Sequence, residues 1–147
     1  MPFRFSLESV LNLRKNIERS EELALLVIVQ KIAGASSELD QLAMSQRKLR
    51  EQRDLNLRQG LSAVHLQDFD QNESRLSIAV TELHKQLAQL EISRQKQLTI
   101  FQEARREREI LNKNREEHHR IYLRDQARQE QKALDDLSLA RYAKPRR

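Results

Sequence analysis

The side chains in this chain best suited to chemistry are four histidines, His65, His84, His118 and His119, and two carboxylate doublets, Glu116-Glu117 and Asp135-Asp136. A metal site needs several such groups converging on one point. Successive helical residues point about 100° apart, so His118 and His119 diverge, and the chain has no HxxxH pair. No metal ligand set is expected. The doublets would suit a general acid and base only in a pocket that drives their pKa values apart. Glycine-rich phosphate loops and serine nucleophile motifs are missing from the sequence. The residues therefore point to no catalytic group, metal or cofactor, and to a non-enzymatic protein.

Basic residues offer a different chemistry. The formal charge is +5 and the pI about 9.8, with +2 on residues 1–60, −1 on 61–100 and +4 on 101–147. The run Arg105-Arg106-Glu107-Arg108 invites a nucleic-acid reading. A basic-zipper region, however, is nearly uninterrupted and precedes its heptads, whereas here Glu alternates with Arg inside an apolar repeat. Such interleaving reads as a solvated, ion-paired helix face. No specific nucleic-acid recognition is expected.

These side chains must be positioned by few, long elements. The 147 residues are 38% apolar, 33% charged and 4% aromatic, too lean for a thick core. Only two Gly and two Pro are present for tight reversals, while Leu, Ala, Glu, Lys, Arg and Gln abound. The class is all-α and elongated. With no cysteine, disulfides are excluded and the cytoplasm is the default compartment. The longest apolar run, Leu23 to Val29, is seven residues, against roughly 20 for a bilayer crossing. The start, MPFRFSLES, lacks a signal-peptide apolar region. A soluble protein, not inserted in a membrane, is expected.

From Leu25 the apolar residues alternate in steps of three and four: Leu25, Ile28, Ile32, Ala35, Leu39 and Leu42, then Gln46, then Leu49. This is a coiled-coil seam. Upstream, Leu7, Leu11, Ile17 and Ala24 continue it with a slip in phase, and Ser6 suits an N-cap ahead of Glu8. A second seam runs through Phe69, Leu76, Val80, Leu83, Leu87 and Leu90, passes Arg94 and Gln97, and resumes at Phe101, Ala104 and Leu111. Between them lie Gly60, Ser62, Asp68 and the helix-start pattern Asp70-x-x-Glu73. The expectation is one helical hairpin over residues 1–147: a helix over about 7–57, a turn over about 58–69, and a longer helix over about 70–142 whose start falls somewhere between Ser62 and Asp70. Pro145 disfavours helix at Lys144.

Neither seam can stay in water, and a short connection makes neighbouring helices antiparallel. The fold expected is thus two long helices in an antiparallel coiled-coil hairpin, the second helix longer. A turn centred near residue 63 gives facing residues numbers that sum to about 125 or 126, pairing Leu25 with Phe101, Leu39 with Leu87, Leu42 with Leu83 and Leu49 with Leu76. It also brings Glu18 near Arg108 and Glu21 near Arg105. Everything after Arg120 then overhangs the partner helix, yet it still carries Leu123, Leu134, Leu137 and Tyr142. Apolar residues without an internal partner point to an external one. The polar seam residues Gln46, Arg94, Gln97, Arg108 and His118 read as register-setters.

The string FRFSLESVLNLRK (residues 3–15) and the string REREILNKNREEHHRIYLRDQARQEQKALDDLSLARY (residues 106–142) resemble the FliJ family of bacterial flagellar type III export. That family combines an aromatic-x-aromatic-x-Leu start leading into VLxLR with a late LDDLSxxxY-type segment. Gly60 followed by Phe69 before Leu76 resembles its hairpin-tip region, although many relatives carry a second aromatic where this chain has Asn72. The resemblance implies a stalk- and adaptor-like export component. It would insert into the hexameric export ATPase, act as its regulator, contact that enzyme's own regulator, reach the cytoplasmic domain of the export gate and handle substrate chaperones. The location implied is the cytoplasm, peripherally at the inner membrane of the flagellar base. Implied ATPase-ring contacts are Phe5, Leu7, Leu11 and Arg14 with Leu134, Asp135, Asp136 and Tyr142; implied gate contacts are Leu42, Leu49, Phe69, Leu76 and Ala79. Composition and periodicity alone leave open a general coiled-coil scaffold or dimerisation module.

Overall fold

A computed structural model describes residues 2–60 and 62–143. Two helices account for nearly all of them: α1, Glu8–Arg58, of 51 residues, and α2, Ala63–Ala143, of 81. They pack antiparallel as a hairpin, the second longer, and no strand forms among the described residues. Contacts divide the chain into two units, Met1–Arg19 with Gln102–Arg147, and Ser20–Phe101.

In the unit spanning Ser20–Phe101, the less exposed positions of α1 are Glu21, Leu25, Ile28, Ile32, Ala35, Leu39, Leu42, Gln46, Leu49, Arg53 and Asn56. Their spacing alternates between four and three without a break, as a heptad seam requires. On α2 the matching positions are Phe69, Glu73, Leu76, Val80, Leu83, Leu87, Leu90, Arg94, Gln97 and Phe101, with Leu83 only 7% exposed. Every seam residue expected from Leu25 to Leu49 is partly or fully covered.

In the other unit the seam passes through Leu11, Arg14 and Glu18 on α1, and through Ala104, Arg108, Leu111 and Arg115 on α2. Leu11 is fully buried; Phe5 and Ala104 are each 7% exposed. The expected slip in phase through Ala24 does not occur: Ala24 is exposed, and the seam keeps its period because charged residues occupy it. Pairing makes this tolerable. Arg108 donates to Glu18 through Nε at 2.6 Å and Nη2 at 3.1 Å. Arg14 pairs with Glu107, and Arg115 donates to Glu8 at 2.9 Å. The pairs in this unit have residue numbers summing to 121–126, so the register expected at 125 or 126 is the upper edge of what forms. Glu21 does not take Arg105. Its backbone and side-chain oxygens both accept from Gln97, and Arg105 donates to Glu109 on its own helix.

At the helix starts it is the capping that differs from expectation. Ser6 donates and accepts no capping bond; the chain turns through the Glu8 amide, which donates to the Phe5 carbonyl, and the Leu11 amide, which donates to Leu7. The second helix begins at Ala63, at the early end of the span from Ser62 to Asp70 expected for its start and ahead of the boundary placed at about 70. Ser62 supplies its start, the Ser62 carbonyl accepting from the Leu66 amide and the hydroxyl bonding the His65 ring. Asp70 and Glu73, whose spacing mimics a capping box, lie inside α2 and bind Arg53 and Arg50 instead. Gly60, at φ +86°, supplies the left-handed residue that ends α1. The first helix therefore ends at Arg58 and the second begins at Ala63.

Candidate functional site

Two surfaces collect the residues singled out in the sequence. The first belongs to the unit formed by residues 1–19 and 102–147. An extended segment ahead of α1 alternates Phe3 and Phe5, which places both rings on one side of the chain. Those rings meet the second helix. Phe3 sits edge-on to His119 with centroids 4.8 Å apart and lies 5.5 Å from Tyr122, while Phe5 lies 5.6 Å from His118. Arg115 stacks 5.8 Å from the Phe3 centroid as it binds Glu8. The adjacent histidines, divergent as expected, thus each receive one phenylalanine.

Beyond this clasp the cover ends. Tyr122 and Gln126 are half-buried, and every described residue from 127 to 143 is exposed. Leu134, Leu137 and Leu139 are 59–66% exposed and Tyr142 is 90% exposed. The uncovered part of α2 therefore begins at about Ala127, some six residues later than the overhang expected after Arg120. Asp135 and Asp136 are exposed too, Asp135 accepting from Gln131 at 3.1 Å.

Of the ATPase-contact residues implied by the resemblance, Leu7, Leu134, Asp135, Asp136 and Tyr142 present open side chains. Phe5 and Leu11 are spent within the unit, and half-buried Arg14 is held by Glu107. Phe3, Arg115 and Tyr122 had not been singled out for this site. The signal available was the alternating aromatic pair opposite a His-His step, which carries no helical period.

The Glu18–Arg108 pair is the best protected ion pair here, with side chains 17% and 23% exposed. Hydrogen bonding from Arg108 holds the Glu18 carboxyl below the usual carboxylate range, and the same bond raises Arg108. It is a fastener rather than an acid-base site: the two groups neutralise one another across the helices.

The second surface lies within Ser20–Phe101. Leu42, Leu49, Phe69, Leu76 and Ala79 are all half-buried seam residues. Leu49 and Leu76 also floor an open groove of about 460 Å³, rimmed by Ser45, Lys48, Gln52, Asn72 and Arg75. Leu42, Phe69 and Ala79 do not line it. Arg94, read as a register-setter, binds Glu91 on its own helix, which raises Arg94 and lowers Glu91.

Among the described residues no cluster of His, Asp or Glu is arranged to hold a metal ion, and no helix is long and apolar enough to cross a membrane.

The family described as Flagellar FliJ protein matches residues 3–147. A solved structure titled as that of a YscO homolog from Chlamydia trachomatis is 18% identical, with 96% of each chain covered and a TM-score of 0.47. No curated protein matches the sequence.

Proposed function

Given that the chain belongs to the FliJ family of flagellar proteins, we propose that it is a non-enzymatic component of type III export, the stalk and adaptor of the export ATPase. The uncovered C-terminal part of α2 docks in the ATPase ring. The half-buried seam residues between Leu42 and Ala79 contact the cytoplasmic domain of the export gate. On this reading the protein works in the cytoplasm, peripherally at the inner membrane of the flagellar base, regulates the ATPase alongside that enzyme's own regulator, and hands on substrate chaperones.

The carrying observation is the change at residue 127. Tyr122 and Gln126 are the last half-buried positions of α2; from Ala127 to Ala143 every described residue is exposed, four large apolar side chains among them. A helix that exposes Leu134, Leu137, Leu139 and Tyr142 gains from a partner that removes them from water. Leu134, Asp135, Asp136 and Tyr142, with Leu7 beside the start of α1, are then the direct contacts. Phe5, Leu11 and Arg14 support them by fixing the N-terminal segment.

Light scattering of the cognate ATPase, alone and mixed with this chain, tests the reading. The full chain is expected to shift the ATPase toward its hexamer, and a chain ending at Gln126 is not. A shift of equal size with the shortened chain would overturn the proposed docking segment.

A further inference from the structure

The groove floored by Leu49 and Leu76 has an imbalance that the hairpin itself does not use. On one edge of this part of the unit the cations are neutralised: Arg50 binds Glu73, and Arg53 binds both Asp70 and Glu73. On the opposite edge, which bounds the groove, stand Lys48 from α1 and Arg75 from α2, and no acidic residue lines the space between them. Among the described residues neither cation has an ion-pair partner. The remaining lining is Ser45, Gln52 and Asn72, which hydrogen-bond without adding charge.

A strip with an apolar floor, neutral polar walls and one unpaired cation on each helix is complementary to an apolar side chain flanked by carboxylates. We propose that this groove selects an acidic segment of the export gate's cytoplasmic domain, seating one of its apolar side chains on Leu49 and Leu76 while Lys48 and Arg75 take the flanking carboxylates. The proposal rests on the reading of this surface as the gate-docking one and adds the chemistry of the segment that binds. Asn72 fits the same chemistry, since a side-chain amide beside Arg75 offers a carboxylate a further donor.

Two arms test it. In the first, a 12-residue synthetic peptide built of Glu with a central Leu is titrated into the full isotope-labelled chain, followed by amide shifts; a twin with Lys in place of Glu is the control. The acidic peptide is expected to move the amides of Ser45, Lys48, Gln52, Asn72 and Arg75. The basic twin is expected to leave them still. In the second arm, calorimetry measures the cognate gate's cytoplasmic domain against the unaltered chain, the Lys48→Glu/Arg75→Glu double variant, and Lys31→Glu as an exposed control outside the groove. Two reversed rim charges should weaken binding about tenfold, with the effect shrinking at high salt, while Lys31→Glu leaves it unchanged.

Equal shifts from the two peptides, or shifts that survive the double reversal, would overturn the charge preference. Unaltered gate affinity in the double variant would do the same. A gate domain that fails to bind the unaltered chain instead refutes the gate reading, and the peptide arm still judges the groove.

Discussion

Replacing Arg108 by Met is the most informative single change to the hairpin's own energetics. The substitution keeps much of the length but removes two hydrogen bonds, at 2.6 and 3.1 Å, to the Glu18 carboxylate. Opposite charges about 4 Å apart interact by roughly 4 kcal/mol at an effective dielectric of about 20. Solvent on the open side of the pair and the cost of desolvating it discount that to a net loss of about 1–2 kcal/mol. The double change Glu18→Leu/Arg108→Met should recover most of it, because it leaves no partly buried charge unpaired. Arg120→Met, which breaks the open pair with Glu117, should leave stability unchanged. Urea unfolding followed by helical circular dichroism measures all three.

Acid supplies an independent check. The folded-state pKa of Glu18 lies below its ordinary value of 4.5, so its stabilising effect is complete above about pH 4.5 and fades as pH falls through the lowered pKa. Arg108→Met should flatten that acid limb. If Arg108→Met and Arg120→Met behaved alike, or the acid limb kept its steepness, the assignment of Glu18–Arg108 as the fastener would be refuted.

Leu11→Ala, at the one fully buried side chain among the described residues, should cost about 2–4 kcal/mol by urea unfolding, far more than Leu23→Ala, whose side chain is 55% exposed. The two glycines should respond with opposite signs in thermal unfolding. Gly34→Ala should stabilise α1 by about 0.5–1 kcal/mol, since a Cβ there meets nothing and the backbone is helical, whereas Gly60→Ala should cost about 1 kcal/mol at its φ of +86°. Cysteines at 49 and 76, introduced into a chain with none of its own, should join rapidly under a short bifunctional reagent; a faster yield from 46 and 87 would overturn the register.

The parts of the fold legible in the sequence were those governed by apolar periodicity. Leu25 through Leu49 and Phe69 through Leu111 declared their face because the period of three and four survives in residue type alone. It failed at Arg14 and Glu21, where the period continues through polar groups whose partners, Glu107 and Gln97, lie far away in sequence, whereas the register read from the two seams did bring Glu18 to Arg108. The same blindness left the second helix's start open between Ser62 and Asp70: Asp70 and Glu73 have capping spacing, and only the cross-helix guanidinium groups of Arg50 and Arg53 show what they do. Ser62, a single hydroxyl residue after Gly60, was the true signal. The aromatic clasp was hidden for a different reason. Phe3 and Phe5 precede any helix, so no helical period connects them to His118, His119 and Tyr122. The uncovered end was foreseen, but the clasp extends cover to Gln126 and moves its beginning to Ala127.

ATP hydrolysis by the cognate export ATPase, measured with and without this chain, tests the central claim most directly. The full chain is expected to raise the rate, and chains ending at Gln126 or carrying Leu134→Ala with Leu137→Ala are expected to lose the increase while keeping their helical signal. Stimulation that survives both changes, or no stimulation by the full chain, would contradict the stalk reading.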